Sequence, residues 1–451
     1  MRDIVLVTVD SLRADHVGWH GYDRNTTPNL DQRAASAQVF TSAFSHACST
    51  RPSFPSIMTS SYALEYGGFE RLSEKRTTIA ELLEAAGYET AGFHSNLYLS
   101  ADFGYDRGFD RFFDSRSNPG TLAKLRQELK THLNSDGRIY GFLQQVFNAT
   151  EKQAGIELGS AYMDAEEITD RAISWASSAS TGPRFLWVHY MDVHHPYVPP
   201  SEHQQRFRSD PVDERDAIQL RRKMLEAEDE ITEQEFNTIV DLYDSEIAYV
   251  DEQVERLLET VQKEWDSEPV IAFTADHGEE LLDHGGFSHS ATFHDEVIHV
   301  PLFVETGENE ATETDNLVGL LDLAPTLADN ADVDQPESFR GQPLSQINGQ
   351  WTRSEIIAEW ADTDTDDRRF AVRTTDWKYV REENGDEQLY NLSADPEETK
   401  DIAAETPDVL SDFQEMIDDH LAMLDESRED LGNVEMDEEV RQRLRDLGYQ
   451  E

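Results

Sequence analysis

Ile4-Val5-Leu6-Val7-Thr8-Val9 opens the chain and runs straight into Asp10-Ser11-Leu12-Arg13. An unbroken β-branched run without polar alternation marks a strand buried on both faces, as in a parallel sheet covered by helices. Two later stretches repeat it. Arg184 to Tyr190 leads into Met191-Asp192-Val193-His194-His195-Pro196, and Pro269 to Thr274 leads into Ala275-Asp276-His277-Gly278-Glu279. Between them, Thr27-Pro28-Asn29-Leu30-Asp31 opens a helix through Ala37, and Val39-Phe40-Thr41 returns to a strand. Ile79 to Ala86 reads as a helix stopped by Gly87, followed by a strand over Thr90 to His94. Ile239 to Val261 is a long amphipathic helix, Val300 to Val304 a fourth core strand and Leu321 to Ala328 a helix. Strands alternating with helices give α/β, a three-layer α/β/α sandwich on a mostly parallel sheet.

Acidic linker sequence around residues 330–337 and 341–349 marks a boundary. Residues 1–349 are expected to form the catalytic domain, with helical insertions near 122–178 and 213–235, the latter a solvated excursion. Residues 350–451 are expected to form a small antiparallel sheet, with strands near 355–359, 370–374, 378–381 and 388–391, and an acidic helical tail. Within that tail Val440 to Leu447 reads as an amphipathic turn or two.

Composition narrows the partners. Against 92 acidic residues stand 38 basic ones, a formal charge of −54 in 451 residues. An acidic, lysine-poor surface around regular apolar segments suits a folded halophile enzyme, where salt screens the self-repulsion. The charge argues against nucleic acid and anionic membranes as partners. Cys48 is the single cysteine, so no internal disulfide forms. No charged-then-apolar leader is visible, and no run approaches the roughly 20 apolar residues of a membrane helix. The expectation is a cytoplasmic protein without membrane insertion.

Ligands of doubly wound sheets sit beyond the carboxyl ends of the strands, where Asp10, His194 and Asp276-His277 stand. Hard divalent cations such as Ca2+, Mn2+ or Mg2+ take carboxylate oxygens, and an Asp/Asp/His set with a hydroxyl completes a coordination sphere. Alone, each residue is as readily a turn or capping side chain. Convergence of three strand ends is the stronger signal. The hydroxyl comes from Cys48-Ser49-Thr50-Arg51-Pro52-Ser53-Phe54-Pro55-Ser56-Ile57-Met58-Thr59-Ser60. Prolines are tolerated at a helix start, and the free amides there attract an anion. His294 and His299 are expected to be exposed histidines without a role.

Taken in order, these segments resemble the sulfatase family of the alkaline-phosphatase superfamily. Val9 to Arg13 resembles its first metal strand, Asp276-His277-Gly278-Glu279 with His284-Gly285 its second metal motif, and Asp322 to Leu327 a late core segment. Arg373 to Tyr379 and Leu389-Tyr390-Asn391-Leu392 resemble its C-terminal sheet. Family sulfatases convert a Cys or Ser in Cys/Ser-x-Pro-x-Arg into formylglycine. Counted from Phe40-Thr41 or back from Thr59, that position falls on Thr50, with Phe54 where the motif has Arg, and Cys48 lacks the pattern. No formylglycine is therefore expected.

By the resemblance, Asp10, Thr50, Asp276 and His277 would bind one divalent ion and Thr50 would attack in line. His194 and His289 would hold the nonbridging oxygens or protonate the leaving group. Arg51 would neutralise developing charge, or else point outward in a salt bridge. Asn96 lies beside Ser95, which replaces a family lysine. Asp192 with His194 and His289 is a lesser candidate for a second ion. The expected function is metal-dependent hydrolysis of anionic sulfate or phosphate esters. The alternatives are a phosphodiesterase or phosphonate hydrolase, a phosphoglycerol-type transferase, and an inactive sulfatase-like binding protein.

Overall fold

The computed structural model describes residues 1–115, 162–179, 182–265, 267–289, 291–307, 311–349, 351–362 and 367–429. In chain order, the sheet and its flanking helices are β1 (Ile4–Val9), α1 (Pro28–Ala34), β2 (Gln38–Phe40), α2 (Thr50–Thr59), α3 (Ile79–Ala85), β3 (Glu89–Phe93) and β4 (Arg111–Phe113). They continue as α4 (Ala165–Ala176), β5 (Arg184–Tyr190), α5 (Glu214–Glu226), α6 (Glu233–Glu264), β6 (Val270–Ala275), β7 (Leu302–Glu305), β8 (Thr312–Thr314) and α7 (Leu323–Asn330). Eight strands lie in the order β8-β2-β7-β6-β1-β5-β3-β4. Every pairing is parallel except those of β7, which runs antiparallel to both β6 and β2. Val300 to Val304 is thus a core strand, as read, but shifted to start at Leu302 and reversed in direction.

Every residue of β1, β5 and β6 is buried, as their apolar runs require. The register pairs Val9 with both Tyr190 and Ala275, so three strands end at one level. The residues that follow, Asp10, Met191 to His194 and Asp276-His277, therefore emerge side by side above the sheet.

Local chemistry trims several expected boundaries. Helix α1 closes at Ala34 rather than Ala37, because Ser36 and Ala37 donate three residues back to Arg33 and Ala34. Helix α6 starts earlier than Ile239: Thr232 and Glu235 form a capping box, and 32 helical residues follow. The 213–235 stretch is not merely solvated, since α5 buries Ala217, Ile218, Arg221 and Met224. Of the 122–178 insertion, α4 is described; its earlier part and Val440 to Leu447 lie outside the described residues.

The C-terminal part forms the expected antiparallel sheet, β9 (Glu355–Ala361), β10 (Arg368–Thr374), β11 (Trp377–Glu382) and β12 (Glu387–Asn391), in that order, followed by α8 (Pro407–Ser427). Buried Lys378 ties it to the main body, its Nζ lying 2.6 Å from Asp295 and 2.7 Å from Glu398. Among the described residues no helix is long and apolar enough to cross a membrane.

Candidate active site

Asp10 leaves β1 through a tight turn in which Ser11 adopts φ 57°. Tyr243 of α6 clamps that turn, donating to Ser11 O at 2.7 Å and accepting from Arg13 N at 3.0 Å. Helix α2 begins at Thr50 with Ser49 as its N-cap, and no side chain caps its first amides. Phe54, Ile57 and Met58 bury its other face in the core, which anchors Thr50 over the strand ends. The Thr50 hydroxyl donates to Asp10 Oδ2 at 3.0 Å and lies 3.4 Å from His277 Nε2. His277 Nε2 is 3.6 Å from Asp10 and 3.7 Å from Asp276. All four side chains are buried.

The histidines are oriented by their second nitrogens. His277 Nδ1 meets Gly278 O at 2.7 Å and His194 Nδ1 meets His195 O at 2.6 Å, so in both rings Nδ1 carries the proton and Nε2 is the acceptor. His289 Nδ1 instead faces Glu279 Oε1 at 3.1 Å. The His277 and His289 rings stand 4.3 Å apart, and those of His194 and His289 5.3 Å. Asn96 donates to Asp10 Oδ2 at 3.3 Å. Arg51 turns its guanidinium over Tyr98 at 4.9 Å and Phe103 at 5.4 Å, 3.7 Å from Glu70. That is the salt-bridged arrangement weighed as its alternative.

Burial pulls the two carboxylates apart electrostatically. Asp10 is desolvated, which alone would raise its pKa, but the neighbouring imidazoles of His189, 3.5 Å away, and of His194 and His277 hold it well below the usual carboxylate range. Asp276 goes the other way, raised by burial and by the neighbouring Asp10 charge. Burial and then His289 push His277 down to about 3. His194 is lowered chiefly by burial. His289 rises although burial opposes it, because Glu279 favours its charged form.

His189 is the residue that sequence reading missed. It lies inside β5, its Nδ1 3.0 Å from Thr8 Oγ1 and its Nε2 3.5 Å from Asp10. A lone histidine in an apolar strand was the available signal, and it reads more simply as a core residue. Asp10, His189 and Asp276 offer ligand atoms all within 4.8 Å of one another. His189 Nε2 and Asp276 Oδ2 are buried without a hydrogen-bond partner among the described residues. Two buried carboxylates, orphaned polar atoms and imidazole nitrogens facing one point fit a divalent cation.

Asp192 accepts from Ala165 N at 2.9 Å and belongs to neither close group of metal-ligand atoms among the described residues. A second ion on Asp192, His194 and His289 therefore gains no support. Cys48 packs in an apolar cluster with Phe44, Phe293 and Val297, its thiol pushed up to about 12 by burial. The expectation of exposed, idle His294 and His299 needs correcting. His299 stacks on Phe44 with ring centres 4.9 Å apart, and His294 stacks on His284 at 3.5 Å. Helix α5 reaches the histidine cluster through Arg221, whose Nε is 3.3 Å from His195 Nδ1.

The family described as Sulfatase matches residues 2–333, and the one described as N-sulphoglucosamine sulphohydrolase, C-terminal, matches residues 283–427. Arylsulfatase K of Bos taurus is 23% identical over 448 residues, covering 89% of this chain and 78% of its own. The crystal structure of a phosphonate monoester hydrolase from Agrobacterium radiobacter superposes with a TM-score of 0.72 at 19% identity, covering 94% of this chain and 96% of that one. A protein solved with its substrate D-glucosamine-2-N,6-O-disulfate gives 0.72 at 17% identity, covering 94% and 98%. With one family spanning most of its length, with Asp10, Asp276 and His277 at adjacent strand ends and Thr50 beside them at the start of α2, the chain belongs to the sulfatase family of ester hydrolases.

Proposed function

We propose that this protein is a metal-dependent hydrolase of anionic sulfate or phosphate esters in which Thr50 is the nucleophile. The observation that carries this reading is the Thr50 hydroxyl, buried at the start of α2 and 3.0 Å from Asp10 Oδ2. Asp10 and Asp276, with His277 and His189, would hold a divalent ion, which when bound would lower the pKa of the hydroxyl and offset charge on the ester oxygens. Asp10 Oδ2, the acceptor 3.0 Å away, takes the Thr50 proton as the hydroxyl oxygen attacks and returns it when that oxygen departs in the second step. The open amides of α2 face the ester's anionic oxygens. His289, whose charged form Glu279 favours, gives a proton from Nε2 to the leaving oxygen. His194, neutral with its lone pair on Nε2, then takes a proton from the water that releases the adduct.

Threonine decides the second half of the cycle. Formylglycine carries a spare hydroxyl that can expel sulfate from its adduct. A threonine adduct has none, so water must attack the bound group itself. Phosphorus accepts that second displacement more readily than sulfur, which favours phosphate or phosphonate esters within the class. Leaving-group selection is assigned to the insertions, including Arg221 on α5.

The test is a panel of nitrophenyl sulfate, phosphate and phenylphosphonate esters in molar KCl with Mn2+, Ca2+ or Mg2+. Metal-dependent turnover that drops at least about 10^4-fold in Thr50→Ala supports the reading. Turnover unchanged in that variant would remove Thr50 as nucleophile, and no turnover of any ester would favour an inactive binding protein.

A further inference from the structure

Glu279 closes the Asp276–Glu279 loop, and its side chain is fully buried. Among the described residues no arginine or lysine pairs with its carboxylate. Arg13 comes near, with Nη1 3.2 Å from the backbone oxygen of Glu279, but its guanidinium is committed to Asp15 and Asp283. Two groups meet the carboxylate, one on each oxygen. His289 Nδ1 faces Oε1 at 3.1 Å, and the Tyr197 hydroxyl donates to Oε2 at 3.4 Å. The first contact serves the proton donor, whereas Tyr197 belongs to no step of the reaction.

Tyr197 follows the Met191–Pro196 segment that leaves β5, and only 4% of it is exposed. On one flank the Tyr162 hydroxyl reaches His194 O and Pro196 O, each at 3.3 Å. On the other, Val198 N donates to Glu246 Oε1 at 2.6 Å. The backbone is thus pinned on both sides. The ring stands edge-on to Tyr243, with centres 5.4 Å apart and planes at 69°. Tyr243 in turn clamps the Asp10 turn. An aromatic pair of this kind holds its rings without help from the hydroxyl. Phenylalanine at 197 would keep that packing and lose only the donor to Glu279.

A carboxylate bonded at one oxygen alone can still pivot about its Cγ–Cδ bond. A donor on the second oxygen stops the pivot, so Oε1 stays where it receives His289 Nδ1–H and the imidazole is held in one orientation. The hydroxyl also has an electrostatic effect. When Nε2 gives its proton away, the imidazole is left neutral, and Glu279 loses the positive charge beside it. The Tyr197 hydroxyl is then the other donor left on a buried anion, and its bond strengthens as the leaving oxygen departs. A contact that strengthens at that moment acts on the transition state rather than on substrate binding. Its 3.4 Å length is long for O–H···O, and catalytic hydrogen bonds often tighten only with substrate in place.

We propose that Tyr197 is a positioning residue for the proton donor: through Glu279 it orients His289 and supports the carboxylate while Nε2 protonates the leaving oxygen. The assignment rests on His289 being that donor. In the step, the bond from phosphorus or sulfur to the leaving oxygen breaks with its electron pair on oxygen, and that oxygen takes the Nε2 proton. The Nδ1 proton stays between His289 and Glu279. Tyr197 therefore matters in proportion to how much the leaving group needs a proton. Dinitrophenol leaves readily as an anion, and phenol does not.

The test compares wild type, Tyr197→Phe, Glu279→Gln, His289→Gln and the Tyr197→Phe/Glu279→Gln double variant in molar KCl with saturating Mn2+. Aryl phosphates and aryl sulfates, each running from dinitrophenyl to phenyl, supply two matched series, and kcat and KM are read on the series that wild type turns over. His289→Gln should lose at least about 100-fold more on the phenyl ester than on the dinitrophenyl ester. Tyr197→Phe should lose about tenfold more on the phenyl ester, in kcat and with KM unchanged. In the Glu279→Gln background the Tyr197 change should cost less than about twofold, because the hydroxyl acts through the carboxylate charge. A merely structural Tyr197 would slow all esters alike and add its cost in both backgrounds, and that result overturns the proposal. If His289→Gln shows the leaving-group dependence and Tyr197→Phe does not, the role of Tyr197 alone is overturned. If His289→Gln slows every ester equally, His289 is not the donor, and both assignments fall.

Discussion

Replacing Asp276 by Asn should stabilise the metal-free protein while removing its metal response. Asp10 and Asp276 are both buried, and their ligand atoms lie within 4.8 Å. Two unit charges at that separation repel by about 3 kcal/mol at an effective dielectric constant of about 20. Bulk salt does little to relieve a pair that solvent does not reach. Metal-free protein must bear this cost as repulsion or by holding a proton on Asp276. The Asn change is well matched to the site. Asp276 Oδ1 accepts from His277 N at 2.9 Å, and an amide oxygen can keep that bond. Its Oδ2 is the atom without a partner, and an amide nitrogen placed there would donate toward Asp10. For a chain of 451 residues, 3 kcal/mol corresponds to a melting temperature about 3 °C higher, from about 2.1 cal/mol/K of unfolding entropy per residue. Differential scanning calorimetry in molar KCl with EDTA should show that rise. With Mn2+ at about 1,000 times its Kd the order should reverse, wild type gaining about 4.1 kcal/mol and the variant nothing. A variant less stable than wild type in EDTA would refute the reasoning, because Asp276 would then be an ordinary structural carboxylate.

Three further outcomes are expected. Glu279→Gln removes the charge that raises His289, so the proton donor is lost at lower pH; the alkaline limb of kcat against pH should move toward acid, and an unmoved limb would exclude His289 as the acid. Cys48 should resist iodoacetamide in the folded protein and react fully in guanidinium, because its thiol is buried and pushed up to about 12; peptide mass spectrometry should find it as plain cysteine, not formylglycine. Lys378→Met leaves Asp295 and Glu398 buried with their lysine gone, and guanidinium denaturation should show a loss of about 3–5 kcal/mol; an unchanged midpoint would mean that Arg373, 3.1 Å from Asp295, suffices alone.

The core strands were legible because burial on both faces leaves a local signature, a run such as Ile4 to Val9 without polar alternation. Their carboxyl ends announced Asp10 and Asp276-His277 for the same reason, since a polar residue directly after such a run has left the sheet. Thr50 was readable only by counting against a family pattern; in the structure its hydroxyl lies 3.0 Å from Asp10. His189 was not readable, because a histidine inside a buried strand is locally identical whether it fills the core or faces an ion. Arg51 shows the converse, a charged neighbour of Thr50 that packs on aromatic rings instead.

The sequence by itself determined the alternation of strands and helices, the acidic net charge, and which residues stand at the ends of the core strands. Those are properties of neighbours along the chain, set by periodicity and side-chain type. Only the tertiary structure decided that β7 runs antiparallel, that Glu279 orients His289, and that His189 faces Asp10. Each depends on distances between segments far apart in sequence or turned toward each other by folding, and no local pattern encodes those distances.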